Sequence, residues 1–575
     1  MSFTPEPDLR ERFEACLLLH AVGDAMGYRG GQWEFCASTT KIRNDCEELG
    51  GVLEMDLTNW MVSDDTVEHL AMAEGLSLGL SKLSTQMKQT LLQGVVTQEV
   101  ILTSGAGPGP ASTSVKVSEN LLDKIHSSKE KSQSSTSATS AAKNKPLSKE
   151  PPNTTVATYD QLLQGIAVGF KKAGNDFTGR APGKGEQQCI KLLTENGHNW
   201  DAKPFDSRSG GCGACMRTSV FGFPRSFQTM LTLSLEASRM SKTVPVGFLA
   251  GFTASYFTWL ALYEPEIQPA QWAEKLLLEG LPAVEEYLKN QSGPRPRHLR
   301  DLEAGGFFPL IETEFGQKWL WYAKDCRKIY FMGSTGGGAS RGESGRVQQP
   351  SKATAGRAGS STDSCTPGVA TTGEPTTRNS CTGASTEDGN KKFWPIPRVE
   401  GAGARPVLFQ PGEHEVAAMD TLYMKIAQTS MNKTGKFPGS CGTSAVLIAY
   451  DALVHALYYD RDGDTQKTME AGPSGASSAA TNIKISLKQT LGQHRQRYKT
   501  LVERAVLHRG DNDSTGSIAL SWYGALFGFQ GVPEKHYSGI EYSGRCRNAA
   551  KKLFSQVQQS STSTTTGTKE QERPS

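Results

Sequence analysis

The sequence predicts an all-α domain interrupted by low-complexity insertions, and three observations carry that prediction. Apolar residues recur at spacings of three and four in segment after segment, strand-like alternation is scarce, and four stretches lack the apolar and aromatic residues that a packed core requires.

The first helix is expected over Phe13 to Met26, where Ala15, Leu18, Leu19 and Val22 share a face before Gly23. The next is marked by Val67, Leu70, Ala71 and Leu76, directly after Ser63-Asp64-Asp65-Thr66. There Ser63 or Asp64 suits the N-cap and Asp65 the positive first turn. Further helices are expected over Phe227 to Arg239, Val246 to Tyr263, Gln271 to Leu288 and Ala445 to Tyr459. A last one carries Ile518, Ser521, Trp522, Ala525, Leu526 and Phe529, just after Asp511-Asn512-Asp513-Ser514-Thr515.

The low-complexity stretches are rich in Ser, Thr, Gly, Pro and Lys, and such composition buries too little apolar surface to offset the entropy of ordering the chain. One domain with inserted loops is therefore expected, because exposed loop tips accept long insertions at small entropic cost. Its parts are 1–102, 156–332, 391–464 and 481–556, separated by inserts at 103–155, 333–390 and 465–480 and followed by a tail at 557–575.

Composition excludes several classes of function. With 62 Lys+Arg against 59 Asp+Glu the formal charge of the 575-residue chain is only +3, so nucleic acid is not indicated as a partner. No run of about 18 apolar residues is evident, and Met1 to Arg12 is polar rather than a basic stretch leading into an apolar one. A soluble cytoplasmic protein, off the membrane and monomeric, is the expectation. The eleven cysteines are odd in number and scattered, with Cys365 and Cys381 in low-complexity sequence, which fits reduced thiols better than a disulfide framework. Cys212 and Cys215 form a CxxC, but no second pair completes a zinc site, and Gly210, Gly211 and Gly213 around it point to a tight loop.

The chemistry lies in the two acidic clusters. Together they offer four carboxylates and several hydroxyls, an all-oxygen donor set suited to hard cations such as Mg²⁺. Asp511 and Asp513 can aim at one point, whereas Asp64 and Asp65 diverge by about 100° on a helix, so each can serve a different ion. The competing reading is that both clusters are ordinary helix caps, since Ser, Thr and Asp favour helix starts anyway. An EF-hand is excluded, because position 12 of a loop starting at Asp511 is Trp522 where a bidentate Glu is needed.

The clusters SDDTVEHLAMAEGL (Ser63 to Leu76) and HRGDNDSTGSIA (His508 to Ala519) resemble the two metal motifs of the ADP-ribosylglycohydrolase family, and are most similar to those of ADP-ribosylarginine hydrolases. Supporting stretches stand in family order: GDAMGYRGGQWEF (Gly23 to Phe35), GRAPG (Gly179 to Gly183), PFDSRSGGCGACMR (Pro204 to Arg217), SRMSKTVPVGFLAG (Ser238 to Gly251) and AYDAL (Ala449 to Leu453). The resemblance covers about Phe13 to Leu553.

It implies a compact helical domain with two Mg²⁺ ions at the centre of a cleft that holds the terminal ribose of ADP-ribose. The implied ligands are Ser63, Asp64, Asp65, Asp511, Asp513 and Ser514, with Asp64 and Asp65 as the catalytic acids. Either one of them acts as general base or both serve as ligands. The implied reaction is hydrolysis of the N-glycosidic bond between ADP-ribose and arginine in mono-ADP-ribosylated proteins, which are the implied partners. Such a bond breaks through an oxocarbenium-like state that a nearby carboxylate stabilises. The alternatives are a non-enzymatic ADP-ribose-binding relative and a hydrolase of ADP-ribosyl-serine or another O-linked ester.

Gly210, Gly211, Cys212 and Gly213 would let backbone N–H groups approach a diphosphate, or form a plain turn. Arg180 would pair with phosphate or cap a loop. Phe437, near Ser440 and Gly442, falls where relatives place an aromatic beside the nucleotide, and is otherwise a packing residue. Glu34 resembles a family acid near the metals, or is a surface residue. Two positions depart from the family: Lys242 where it usually has His, and Thr443-Ser444 where arginine hydrolases usually have His-Asp. These departures bear on acceptor preference and substrate affinity more than on the metal motifs.

Overall fold

Alternate apolar turns become helices in the order expected, and their caps explain where they begin. The computed structural model describes residues 5–93, 154–290, 297–327, 415–430, 432–459 and 490–558. Those belong to one unit made from Met1–Tyr330 and Pro406–Ser575, while a second unit, Phe331–Arg405, lies outside the described residues. The expected inserts also lie outside them, save that Thr154 and Thr155 already open a helix; the expected tail loses its first two positions to the final helix.

The helices that frame the site are α1 (Leu9–Tyr28), α2 (Asp64–Ser81), α3 (Thr154–Ala173), α4 (Lys184–Glu195), α5 (Phe227–Arg239), α6 (Pro245–Tyr263), α7 (Gly442–Tyr458), α8 (Leu491–Ala505), α9 (Asn512–Phe527) and α10 (Ser543–Gln558). No strand forms among the described residues, so the all-α expectation holds. Side-chain caps fix several starts: Asp8 accepts the Glu11 N–H for α1, Ser226 the Thr229 N–H for α5, and Thr490 the Gln493 N–H for α8.

Helices α2, α6 and α9 are buried around nearly their whole circumference, which is the mark of a core helix rather than a surface one. Helix α6 corrects the reading that no apolar run is long enough to cross a membrane. Its length and composition would suffice, but here it is wrapped by other helices. The single helix expected over Gln271 to Leu288 is broken by a wider turn at Leu276–Gly280, ahead of Pro282, whose missing N–H prevents a regular ladder.

The principal partner of α1 is α9, more than 480 residues later in the chain, with α2 and α10 packed beside it. The approach is backbone to backbone. A Cβ on Gly23 would lie 2.3 Å from the Gly516 carbonyl oxygen, and one on Gly27 would lie 2.4 Å from the Cα of Asp513. Only glycine permits that spacing, and it is what brings the second acidic cluster against the helix that also anchors the first.

Candidate active site

Helix α1 carries one charged residue in its buried stretch, Asp24, between those two glycines. Its carboxylate accepts the N–H of Ser63 at 3.0 and 3.1 Å and that of Thr66 at 3.0 Å. Thus the orphan donors at the start of α2 are met by a side chain from another helix as well as by Ser63, whose hydroxyl accepts the Asp65 N–H at 3.1 Å. The side chains of Asp64 and Asp65 are left to project from a fixed helix end.

Helix α9 meets them from the other side. The Ser514 hydroxyl donates to Asp65 Oδ2 at 2.9 Å, a direct bond between the two clusters across 449 positions of sequence. Asp511 stands at the N-cap of α9, yet its side chain makes no capping bond. The ordinary-cap reading therefore describes Ser63 but not Asp511. Instead the Cys212 thiol donates to Asp511 Oδ2 at 3.1 Å, and the Asp511 N–H donates to the Pro438 carbonyl at 2.8 Å.

Electrostatics set this region apart. Asp64, Asp65, Asp511 and Asp513 are 5%, 4%, 3% and 2% exposed, so water screens them little, and none pairs with a Lys, Arg or His among the described residues. Burial, then Asp24, Glu186 and Asp511, pushes Asp64 up to about 7. Burial with Asp24, Asp64 and Asp511 drives Asp65 well above the usual carboxylate range, and burial with Glu34, Asp65 and Asp511 does the same to Asp513. Glu34, half-buried rather than a surface residue, rises to about 8 through burial and the charges of Asp511, Asp64 and Asp24. Uncompensated buried charge on this scale is sustained only with bound protons or a cation.

The donor set fits a hard divalent cation, being oxygen throughout at the carboxylates and hydroxyls. Among the described residues no three acidic, thiol or imidazole groups already stand in closed coordination geometry. The fit therefore lies in charge and donor type.

Behind the acids lies a buried network that the sequence did not disclose. Glu186 on α4 accepts from Lys242 Nζ at 2.6 Å, from Ser241 at 3.0 Å and from Arg217 at 3.4 Å. Burial alone would raise its pKa, but Lys242 and Arg217 hold it below the ordinary range. Arg217 also reaches Glu68 at 3.3 Å, the Ser241 hydroxyl at 2.7 Å and the carbonyl of Gly213. Burial dominates at Glu68 and drives it well up despite Arg217.

The glycine segment rests on this network. A Cβ on Gly213 would fall 2.2 Å from Glu186 Oε1, and one on Gly211 would lie 3.7 Å from Lys242 Nζ. Gly210 accepts the Gly442 N–H at 3.0 Å, and Gly211 bridges Cys441, so the segment is tied to the start of α7. Cys212–Ala214 form a single tight turn in which the Cys215 thiol donates to the Cys212 carbonyl at 3.0 Å, consistent with a loop rather than a redox pair.

Of the remaining predicted residues, Ser440 closes a turn by donating its hydroxyl to the Phe437 carbonyl at 2.8 Å, and Phe437 packs edge-on against Phe35. Arg180 is placed as the loop-capping alternative expects. All five of its N–H donors are taken by Asp176, Val62, Glu541 and Tyr542, so it braces the residue before Ser63 and has none left for a phosphate. The departures from the family pattern are both buried: Lys242 in the Glu186 pair, and Thr443 with its hydroxyl oxygen lacking a hydrogen-bond partner.

Sequence reasoning missed Asp24, Glu186 and Arg217 as parts of this site. The available signal for Asp24 was a lone acid inside an apolar helix, and for Arg217 its place at the end of a glycine-rich segment.

Comparison with known proteins shows the class to which this fold, all helices with two distant acidic motifs joined in its interior, belongs. The chain belongs to the ADP-ribosylglycohydrolase family, whose model matches residues 5–314 and 411–563. It is 24% identical over 555 residues to ADP-ribosylhydrolase ARH1 of Dictyostelium discoideum, covering 95% of this chain and 94% of that protein. It is 20% identical over 556 residues to a candidate ADP-ribosyl glycohydrolase of Acanthamoeba polyphaga mimivirus, covering 92% of this chain and 67% of that one. The protein is thus a hydrolase acting on ADP-ribosylated substrates.

Proposed function

We propose that this hydrolase removes ADP-ribose from arginine side chains and that it does so with two Mg²⁺ ions. The observation that carries the reading is the Ser514 to Asp65 bond, which makes one buried, uncompensated acidic region out of two motifs. Ser63, Asp64, Asp65, Asp511, Asp513 and Ser514 would hold the ions. When bound, the metals supply a water of lowered pKa and neutralise the carboxylates around the terminal ribose.

The chain's own residues do the rest. Asp24 fixes the start of α2, so that Asp64 and Asp65 keep their direction without rearranging. Arg217 donates to the Gly213 carbonyl and so holds the glycine segment, whose backbone N–H groups suit a diphosphate. Carboxylates near the anomeric carbon stabilise developing positive charge. A cationic acceptor such as arginine also suits a region whose four aspartates have no Lys or Arg partner among the described residues.

Incubation with ADP-ribosyl-arginine and ADP-ribosyl-serine peptides, each with and without Mg²⁺, tests both points. Release from the arginine peptide alone, and only with Mg²⁺, is the expected result. Release from the serine peptide alone moves the substrate to an O-linked ester, and binding without release would leave a non-enzymatic relative.

Metal occupancy is also legible in stability against pH. Asp64 at about 7 and Glu34 at about 8 lie above their unfolded values, so the folded chain binds more protons and loses stability as pH rises through that window. His20, His508 and His536, lowered to about 4 chiefly by burial, act in the opposite sense but only up to about pH 6.5, where the unfolded imidazole titrates. The metal-free protein is therefore expected to lose Tm between about pH 6.5 and 8, and Mg²⁺ to raise Tm more at the upper end than at about pH 6. An equal Mg²⁺ shift at both ends would remove the ions from these carboxylates.

A further inference from the structure

Among the described residues only three large apolar side chains are substantially exposed, and one of them, Phe35 at 44%, stands beside the acidic region. Its backbone lies in the left-handed region at φ 53°, a conformation that a bulky aromatic residue adopts only under external constraint. The constraint is visible. Phe35 donates its N–H to the Gly510 carbonyl at 2.6 Å, and Gly510 donates back to the Cys36 carbonyl at 3.1 Å, which locks the ring's backbone to the residue before Asp511.

Across the ring stands Phe437, edge to face at 5.6 Å, in the segment whose Pro438 carbonyl accepts the Asp511 N–H. The face of Phe437 already carries the ammonium of its neighbour Lys436 at 5.1 Å. So one aromatic of the pair is packed with a cation, and the other is strained, pinned next to a carboxylate and half in solvent. A pure packing role explains neither the strain nor the exposure, since Asn or Gly would turn the chain more easily and a buried ring would pack better.

We propose that Phe35 is the specificity residue for the acceptor, its ring stacking on the planar guanidinium of the arginine that leaves ADP-ribose; this rests on the arginine reading above. The chemistry favours this occupant. The ring stands between acidic neighbours, Glu34 before it in the chain and Asp511 just past the Gly510 to which its backbone is bonded, and such surroundings favour a cation over an anionic diphosphate. A guanidinium is flat, weakly hydrated and binds aromatic faces, and a serine acceptor offers neither plane nor charge.

Steady-state hydrolysis of ADP-ribosylarginine, with inhibition by ADP-ribose measured in parallel, tests the assignment on the full chain. Phe35→Ala and Phe35→Leu are expected to raise KM roughly three- to ten-fold with kcat within about two-fold, while Phe35→Trp stays near wild type. The inhibition constant of ADP-ribose, which lacks the guanidinium, is expected to change less than about two-fold. Phe35→Gly supplies the control for folding: its Tm should equal or exceed that of wild type because the left-handed strain is gone, while its KM rises as for Phe35→Ala. Unchanged KM in all variants overturns the proposal, and so does an ADP-ribose inhibition constant that weakens in step with KM, which would place the purine on the ring. A wild-type protein that leaves ADP-ribosylarginine intact overturns the arginine reading and this inference together; an active wild type with unaltered variants overturns the inference alone.

Discussion

Asp65→Asn is expected to lower ADP-ribose release by more than about 100-fold, beyond what loss of an indirect supporting partner costs. Asp65 accepts from Ser514 of the other motif and is surrounded by Asp24, Asp64 and Asp511, so a neutral amide there removes charge from the middle of the proposed metal region. The amide oxygen can still accept the Ser514 hydroxyl. Stability in the absence of metal should therefore be unchanged or improved, because a buried carboxylate among like charges is unfavourable to the fold. That opposition separates the variant from a merely unfolded one: activity falls while Tm without metal holds or rises. Near-normal turnover would show that the acids do not form the reacting centre.

Arg217→Met is expected to have the largest effect on folding, a loss of about 3–5 kcal/mol in equilibrium urea unfolding, the magnitude seen when one partner of a buried ion pair is removed. Methionine keeps an apolar stem but removes the guanidinium, which lies over the Phe170 ring and bonds the Gly213 carbonyl, Ser241, Glu68 and Glu186. Glu68→Gln is the informative contrast. Burial already favours the protonated acid there, so the amide should cost no more than about 1 kcal/mol. Equal losses in the two variants would contradict the charge states assigned to this network.

The expected helices were legible through their periodicity, while Thr154–Ala173, Lys184–Glu195, Leu491–Ala505 and Ser543–Gln558 were not among them. Phe227–Arg239 matches the expected bounds, and Pro245–Tyr263 and Gly442–Tyr458 differ from them by a few residues at the ends, where local signals are weakest. The acidic motifs were legible too, as composition at helix starts. What could not be read was how groups on different helices share partners. Asp24 looks like one polar residue in an apolar helix until α2 is laid over it, and Arg180 looks like a free guanidinium until Val62 and Glu541 surround it. Likewise Lys242 stands in the sequence only as a departure from the family's usual His, yet the burial of Glu186 beside it gives the ammonium its place. Pairings of this kind depend on tertiary approach, for which spacing along one chain holds no record.

The glycine seam between α1 and α9 has a consequence for how the protein comes into being. Synthesis delivers α1 more than 480 residues before α9, so until then the nascent polypeptide holds a core helix whose chief neighbour does not yet exist. Over that interval the groove at Gly23 and Gly27 is bare and the carboxylates at 64 and 65 have no counterpart. The late arrival of residues 511–527 would then close the interior and create the reactive centre in the same event, leaving no partly built enzyme able to act.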